Sequence, residues 1–192
     1  RAASSMLDAE QLATELVEQI RSSFNLYYVG LFLLDETRTW AILRAGTGEA
    51  GQRMLSRGHR RKVGEGMIGW CVANNQARIA SEVRDDLQRV STLELPETRS
   101  ELALPLRSRG QVLGALTVQS NRVNAFDPQL VTVLQTMADQ VGVALDNARL
   151  FSESRSMVTA LEHANLELNQ QTWASLIQRL GAGSPLIYQA DG

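Results

Sequence analysis

Cysteine is nearly absent from this chain of 192 residues, in which Cys71 stands alone. A single thiol excludes an internal disulfide framework and a metal site built from several thiolates. Histidine is scarce as well, since His59 and His163 are the only two. The sequence therefore predicts no metal site. It also offers no set of nucleophile, base and orienting group, so we expect no catalytic residues and no enzymatic activity.

The balance of charge and hydropathy argues against two kinds of partner. The chain has 19 Lys and Arg against 21 Asp and Glu, a net charge of -2, which gives no general attraction to nucleic acid or to anionic membranes. No apolar run reaches ~18 residues, and no signal peptide is evident. We expect no nucleic-acid partner, no membrane segment within this chain and a cytoplasmic location. Because the first residue is Arg1 rather than Met, we also expect further segments outside this chain.

The longest predicted element is a helix over residues 126–180, which contains almost no helix breaker after Pro128. Asp127 is the predicted N-cap and Pro128 the first helical residue. At ~1.5 Å per residue such a helix is about 80 Å long, whereas a domain of ~130 residues is about 35 to 40 Å across. The overhang has to bury its apolar stripe, and we expect the same helix of a second copy to cover it. The predicted partner is thus a second copy of the chain, in a homodimer formed through the terminal helices. The two helices are either parallel or antiparallel.

Two apolar stripes divide this helix. One contains Leu134, Val141 and Ala148 at seven-residue spacing, and the other contains Val158 and Leu161, among others. The two stripes do not share one heptad frame, which predicts a change in coiled-coil winding near residues 153–155.

The remainder of the chain predicts short strands and helices. The periodicity of residues 7–24 indicates an amphipathic helix, and a short helix is predicted at 67–74. Strands are predicted at 27–34, 39–45, 57–62, 79–83, 101–107 and 111–120. This order indicates an α+β fold with an antiparallel sheet rather than a parallel nucleotide-binding sheet.

Five segments resemble successive signatures of a GAF domain. They are VGEGMIGW at 63–70, IASEVRDD at 79–86, SELALPL at 100–106, the hairpin at 110–120 and ALDNARLF at 144–151. The resemblance covers roughly residues 7–151. It implies a six-stranded antiparallel sheet with the first and last helices on one face and a ligand-pocket layer on the other. It also implies a regulatory role within proteins such as sensor kinases, cyclases, phosphodiesterases or chemoreceptors.

The resemblance also implies a ligand site, whose predicted residues are Trp70, Cys71, Val83, Asp85 and Ser100. Trp70 either stacks on a planar ligand or packs in the core, and Cys71 either attaches a cofactor or is an inert buried thiol. The cofactor stays open. Val72 stands where chromophore-bearing relatives have His, and one cysteine cannot run the thiol–disulfide cycle of the family's methionine sulfoxide reductases. The basic residues 57–62 either hold an anion or guard a strand edge.

These observations predict a noncatalytic sensory GAF module that binds a small molecule. It passes the state of its pocket through a dimeric helical bundle to an output domain such as the histidine kinase of a two-component system. The alternative is a dimerisation or spacer module with a closed pocket, and a cavity of ~300 Å³ or more behind Trp70 would distinguish the two. The predicted domains are a GAF domain at 1–151, a signalling helix at 152–180, and a linker at 181–192 to an output region outside this chain.

Overall fold

The computed structural model describes residues 2–86 and 90–181 of the chain. In chain order its elements are α1 (Ala2–Ser23), β1 (Tyr28–Leu34), β2 (Trp40–Gly46), α2 (Gly48–Ser56), β3 (Arg60–Lys62), α3 (Gly66–Asn74), β4 (Arg78–Ala80), β5 (Ser100–Ser108), β6 (Gln111–Ser120) and α4 (Pro128–Gly181). The predicted order of the six strands and three helices is confirmed, and α2 is an additional short helix between β2 and β3. Contacts divide the chain into a first unit, residues 1–149, and a second, residues 150–192. Apart from Gly181, the predicted linker lies outside the described residues.

The six strands form one sheet in the order β3-β2-β1-β6-β5-β4. Every neighbouring pair is antiparallel. Side chains alternate between the two faces, as the period of a strand requires: in β1, Val29 and Leu31 belong to one core, and Tyr28 and Phe32 belong to the other. The expected α+β architecture, with helices on both faces of an antiparallel sheet, is confirmed.

Two strands differ from their predicted bounds and are shorter, because hydrogen bonds outside their ladders engage the residues next to them. The segment before β3 closes a turn behind α2, in which His59 N–H donates to the carbonyl of Met54 at 3.0 Å. At the other edge, β4 stops after Ala80 because Val83 N–H donates to the carbonyl of Arg99 at 2.8 Å. Both short strands lie at the edges of the sheet.

One face of the sheet packs against α1 and the first part of α4. Val17 and Ile20 from α1 meet Leu134, Ala138 and other residues of α4 in a core from which solvent is excluded. Burying an aliphatic side chain of this size contributes about 1.5–3 kcal/mol. The stripe that begins at Leu134 is thus occupied by the domain's own core. Its heptad frame need not match that of the later, exposed stripe, because the first stripe packs on the sheet. The mismatch between the two frames is therefore no longer evidence for a change in coiled-coil winding.

The start of α4 is built as the sequence predicts. Asp127 Oδ1 accepts a hydrogen bond from Leu130 N–H at 2.8 Å, which caps the helix. Farther along, Asp146 is 5% exposed and accepts a bond from Ser108 Oγ at 2.9 Å. Burial raises the pKa of Asp146, but Ser108 and the guanidinium groups of Arg149 and Arg109 outweigh burial and hold that pKa below its usual range. This buried carboxylate fastens α4 to the β5–β6 hairpin.

The opposite face of the sheet is covered by α2, α3 and residues 90–99, which we call the cover segment. Met54 from α2 and Met67, Ile68 and Cys71 from α3 form the second core with the sheet. The helix α3 ends at Asn75, whose left-handed backbone (φ 52°) lets its N–H donate to the carbonyl of Cys71. This layer holds the candidate functional site.

Candidate functional site

A partly open cavity of about 20 Å³ lies between the sheet and the covering layer of the first unit. A space of this size holds about one water molecule. Its apolar wall includes Phe32, Met54, Met67, Ile68 and Leu95, and its polar wall includes Tyr28, His59, Arg61, Thr92, Glu101, Thr117 and Gln119. The first turn of α3 and the cover segment therefore border a space whose floor is the sheet.

A row of polar side chains crosses this floor. The strand register places Tyr28 of β1 opposite Gln119 of β6, and Gln119 opposite Glu101 of β5. Their exposures are 2%, 4% and 4%. Thr117 Oγ1 donates to Glu101 Oε1 at 3.0 Å, and Thr98 Oγ1 of the cover segment donates to Gln119 Oε1 at 2.7 Å. Carboxyl and amide groups are costly to bury, so such a row on an inward face calls for a functional explanation.

The hydroxyl of Tyr28 is buried, and within the described part of the chain it has no hydrogen-bond partner. Its ring lies over Gly30 and Gly46, where an added Cβ would come within 2.6 and 2.7 Å of the hydroxyl oxygen. Glycine at both positions therefore makes the slot for this side chain. Burial, and then the charges of Glu101 and Glu94, raise the pKa of Tyr28. The hydroxyl keeps its proton at neutral pH and can donate to a bound group.

Polar contacts hold the cover segment over the cavity. Arg57 Nη1 lies 2.6 Å from Glu94 Oε1, and Arg61 Nη2 donates to Thr92 Oγ1 at 2.9 Å. Leu95, 4% exposed, is its main buried apolar anchor. A segment held by one partly exposed ion pair, a hydrogen bond and a single buried leucine opens at lower cost than one held by extensive apolar burial. These contacts also show that Arg57 and Arg61 of the basic segment are engaged within the domain.

His59 forms part of the wall near the cover segment. Its ring meets that of Phe32 edge-on, with ring centroids 5.9 Å apart. Burial, followed by the cationic neighbours Arg61 and Arg57, lowers the pKa of His59 to about 4 against a smaller opposing effect of Glu94. His59 is therefore neutral at pH 7 and can accept or donate a hydrogen bond.

The five residues predicted from the sequence lie around this cavity but do not line it. On α3, the half-buried Trp70 has the guanidinium of Arg78 5.5 Å from its ring centroid. Cys71 is fully buried, and burial raises its pKa to about 12, which keeps the thiol protonated at neutral pH. The cavity meets the first turn of α3, whereas these two residues follow that turn.

The other three predicted residues follow β4 or begin β5. Val83 is buried in the second core, Asp85 is exposed, and Ser100 Oγ donates to the carbonyl of Arg122 at 2.7 Å. The structure thus brings none of the five into contact with the cavity, and their role in ligand binding stays a prediction.

Sequence reasoning missed the polar row itself. Glu101 and Gln119 each interrupt a strand whose neighbouring residues are mostly apolar. Such an interruption at an inward position is the available signal. This signal can be interpreted only when the strand register shows that Tyr28, Gln119 and Glu101 are cross-strand neighbours.

Within residues 2–86 and 90–181, no three or more His, Cys, Asp or Glu side chains are grouped so that they could hold a metal ion. Among the described helices none is both long enough and apolar enough to cross a membrane.

The sheet, its two helical layers and the polar cavity between them define an α+β domain. The GAF domain family matches residues 6–146, and the chain belongs to this family. GAF domains are regulatory and sensory domains whose fold binds small molecules. The predicted family and fold are both confirmed.

A relative of the chain is GAF domain-containing protein A from Dictyostelium discoideum. The two are 26% identical over 108 residues, which are 56% of this chain and 63% of the relative. The match thus spans less than two thirds of the relative's length.

Two solved structures illustrate the range of proteins that share the fold. The GAF domain of a phosphoenolpyruvate-protein phosphotransferase from Coxiella burnetii is similar with a TM-score of 0.68 and 20% identity, over 76% of this chain and 86% of that one. The type II free methionine-R-sulfoxide reductase from Thermoplasma acidophilum is similar with a TM-score of 0.63 and 19% identity, over 72% of this chain and 92% of that one.

The second similarity corrects one prediction. We expected no enzymatic activity because the chain offers no set of nucleophile, base and orienting group. The fold is shared with a free methionine-R-sulfoxide reductase, so a protein with this fold can be an enzyme, and this finding contradicts the prediction of a noncatalytic chain.

Proposed function

We propose that this chain is a sensory GAF module that binds a small molecule and passes the state of its pocket through a dimeric helical bundle to an output domain such as a histidine kinase. The buried polar row of Tyr28, Gln119 and Glu101 carries this proposal. A domain that needed only a stable core would gain by filling these positions with apolar side chains. Retaining them supports a role in recognition.

The chemistry of the cavity suggests the kind of ligand. One side offers apolar contact through Phe32 and Met67, and the other offers a carboxyl group, an amide and a phenolic hydroxyl. A small molecule with an apolar body and a polar head bearing N–H groups suits this arrangement. Binding requires the cover segment to move, because the cavity of about 20 Å³ is too small for such a ligand.

The same volume favours a second candidate. A cavity of about 20 Å³ is far below the ~300 Å³ of a ligand pocket. A dimerisation or spacer module with a closed pocket would have a cavity of this small size. In that case the polar row is satisfied by internal hydrogen bonds and a buried water. The two candidates make opposite predictions about what the protein carries when it is purified.

Native mass spectrometry of the chain purified from its own host separates them. For the ligand-binding module we expect an added mass that Glu101→Gln abolishes. Trp70→Phe and Ser100→Ala test the ligand site predicted from the sequence, which comprises Trp70, Cys71, Val83, Asp85 and Ser100. Loss of the added mass in these two variants, but not in Glu101→Gln, would place the ligand at that predicted site. The bare mass of the unmutated protein would favour the closed module.

The second unit supports the proposed homodimer. Its helix exposes Phe151 by 65%, Val158 by 52%, Leu161 by 70% and Leu168 by 64%. With Asn165 these residues fall in one heptad frame of alternating three- and four-residue steps, which is the pattern of a coiled-coil seam. An isolated helix does not keep such a stripe in water, so we propose that a second copy covers it. Asn165 at an inward position would fix the register of the two helices.

The proposal retains the domain organisation predicted from the sequence. The GAF domain occupies residues 1–151, residues 152–180 form the signalling helix, and residues 181–192 lead to an output region. We also propose a cytoplasmic location, with which the free, buried thiol of Cys71 is compatible.

A further inference from the structure

Arg107 lies where the layer over the cavity and the helix on the opposite face of the sheet approach the same strand. It is near the end of β5, and the register of β5 with β6 shifts between Leu106 and Arg107. A shift of this kind re-aims the side chain that follows it. The guanidinium of Arg107 is thereby able to reach beyond its own strand.

On the cavity side, Arg107 holds the end of α3. Its Nε donates to Asn75 Oδ1 at 2.8 Å, and its Nη2 donates to the carbonyl of Asn75 at 3.0 Å. Asn75 is the C-cap of α3, and Gly66, Met67 and Ile68 at the other end of this helix line the cavity. A helix of nine residues is about 13 Å long and moves as one body. A displacement of its first turn therefore reaches Asn75.

On the other side, Arg107 contacts α4 in two ways. Its Nη1 lies 3.6 Å from Asp139 Oδ1, an atom that also accepts a hydrogen bond from Gln135 Nε2 at 3.0 Å. Its backbone is pressed against Gly142, where an added Cβ would come within 2.5 Å of the Arg107 carbonyl oxygen. Only glycine allows this approach, so α4 is seated directly on the residue that holds α3.

We propose that Arg107 is the coupling residue between the cavity layer and α4. The proposal rests on the proposed function, since it names the contact through which a change at the cavity reaches the signalling helix. The side chains of Arg107 and Asp139 are 36% and 42% exposed, so the ion pair is screened and the coupling is modest. A modest coupling suits a signal that has to be reversible.

Hydrogen exchange of the full chain, measured without any ligand, tests this. Asn75→Gly removes the side-chain acceptor and keeps a residue that favours the left-handed cap. We expect the amides at 139–146 of α4 to exchange about two- to five-fold faster, as loss of a weak polar contact predicts. The matched control is Asn74→Ala, which removes a hydrogen bond from Asn74 Nδ2 to the carbonyl of Trp70 within α3. It should leave α4 unchanged.

A second background identifies the route. In Arg107→Met, which keeps the aliphatic stem and removes the guanidinium, adding Asn75→Gly should have no further effect on exchange at 139–146. A faster exchange confined to α3, an equal effect of Asn74→Ala, or a persistent effect in Arg107→Met would each overturn the assignment. If the chain carries no ligand in native mass spectrometry but gives the expected exchange results, the proposed function is refuted and the coupling through Arg107 stands. If it carries a ligand but the exchange results differ from these, the ligand site stands and the coupling through Arg107 is refuted.

Discussion

Replacing Tyr28 by Phe should make the protein more stable, although the residue lies in the candidate site. The variant removes one buried hydroxyl that has no hydrogen-bond partner among the described residues and changes nothing else in the slot over Gly30 and Gly46. A buried polar atom that makes no hydrogen bond costs about 1–3 kcal/mol. Taking the lower end, we expect Tyr28→Phe to raise the free energy of unfolding by roughly 1 kcal/mol.

Urea unfolding followed by tryptophan fluorescence measures this change. With a slope of about 2 kcal/mol per molar urea, a gain of ~1 kcal/mol shifts the midpoint upward by about 0.5 M. The matched control is Tyr27→Phe, since Tyr27 is the neighbouring residue and is only half-buried. Its midpoint should move little, because surface substitutions usually change stability by less than ~0.5 kcal/mol.

A urea midpoint that falls by about 0.5 M in Tyr28→Phe would refute this expectation. That result would mean that the hydroxyl is hydrogen-bonded in solution, by a structural water or another part of the chain. The slot would then be an element of the core rather than a site kept at a cost in stability. A gain in stability accompanied by loss of the bound mass in native spectra would instead mark Tyr28 as a ligand contact.

Two further predictions concern His59 and the helical seam. Because the pKa of His59 in the folded chain is about 4, the unfolded chain, with a histidine pKa near ~6.5, binds more protons between these values, so stability falls as the pH drops from ~6.5 towards 4. His59→Gln should flatten this part of the urea-midpoint profile while His163→Gln does not; equal profiles for the two variants would remove His59 as the cause. In sedimentation at tens of micromolar, Leu161→Asp should shift the chain towards monomer, whereas His163→Asp on the opposite helix face should not. Asn165→Leu should give a more stable assembly with a less defined oligomeric state, and a monomeric unmutated chain would exclude the seam.

Local periodicity was sufficient for most of the fold. The period of two in the strands and the capping pair Asp127-Pro128 placed the main elements, since these signals depend on neighbouring residues only. The end of the edge strand β4 was missed because a contact between distant residues follows it. Val83 leaves β4 to bond Arg99, which is sixteen positions later in the chain.

The candidate site was harder to predict because it depends on register. Tyr28, Gln119 and Glu101 become neighbours only when β1, β6 and β5 pair, and a shift of one residue would turn each side chain to the other face. The apolar stripe of Leu134 posed the same difficulty in another form. Its spacing is equally suited to a partner helix and to the domain's own sheet, and only the packing of the first unit assigns it to the core.

Hydrogen exchange on the chain with and without its ligand tests the central claim most directly. The loaded protein would be purified from its own host, and the stripped protein would be prepared by unfolding and refolding. We predict that the ligand slows exchange in the cover segment and in the first turn of α3, and that it also changes exchange at 139–146 of α4. Identical exchange in the two preparations, or a host-purified chain that carries no ligand, would contradict a sensory module and leave the closed spacer.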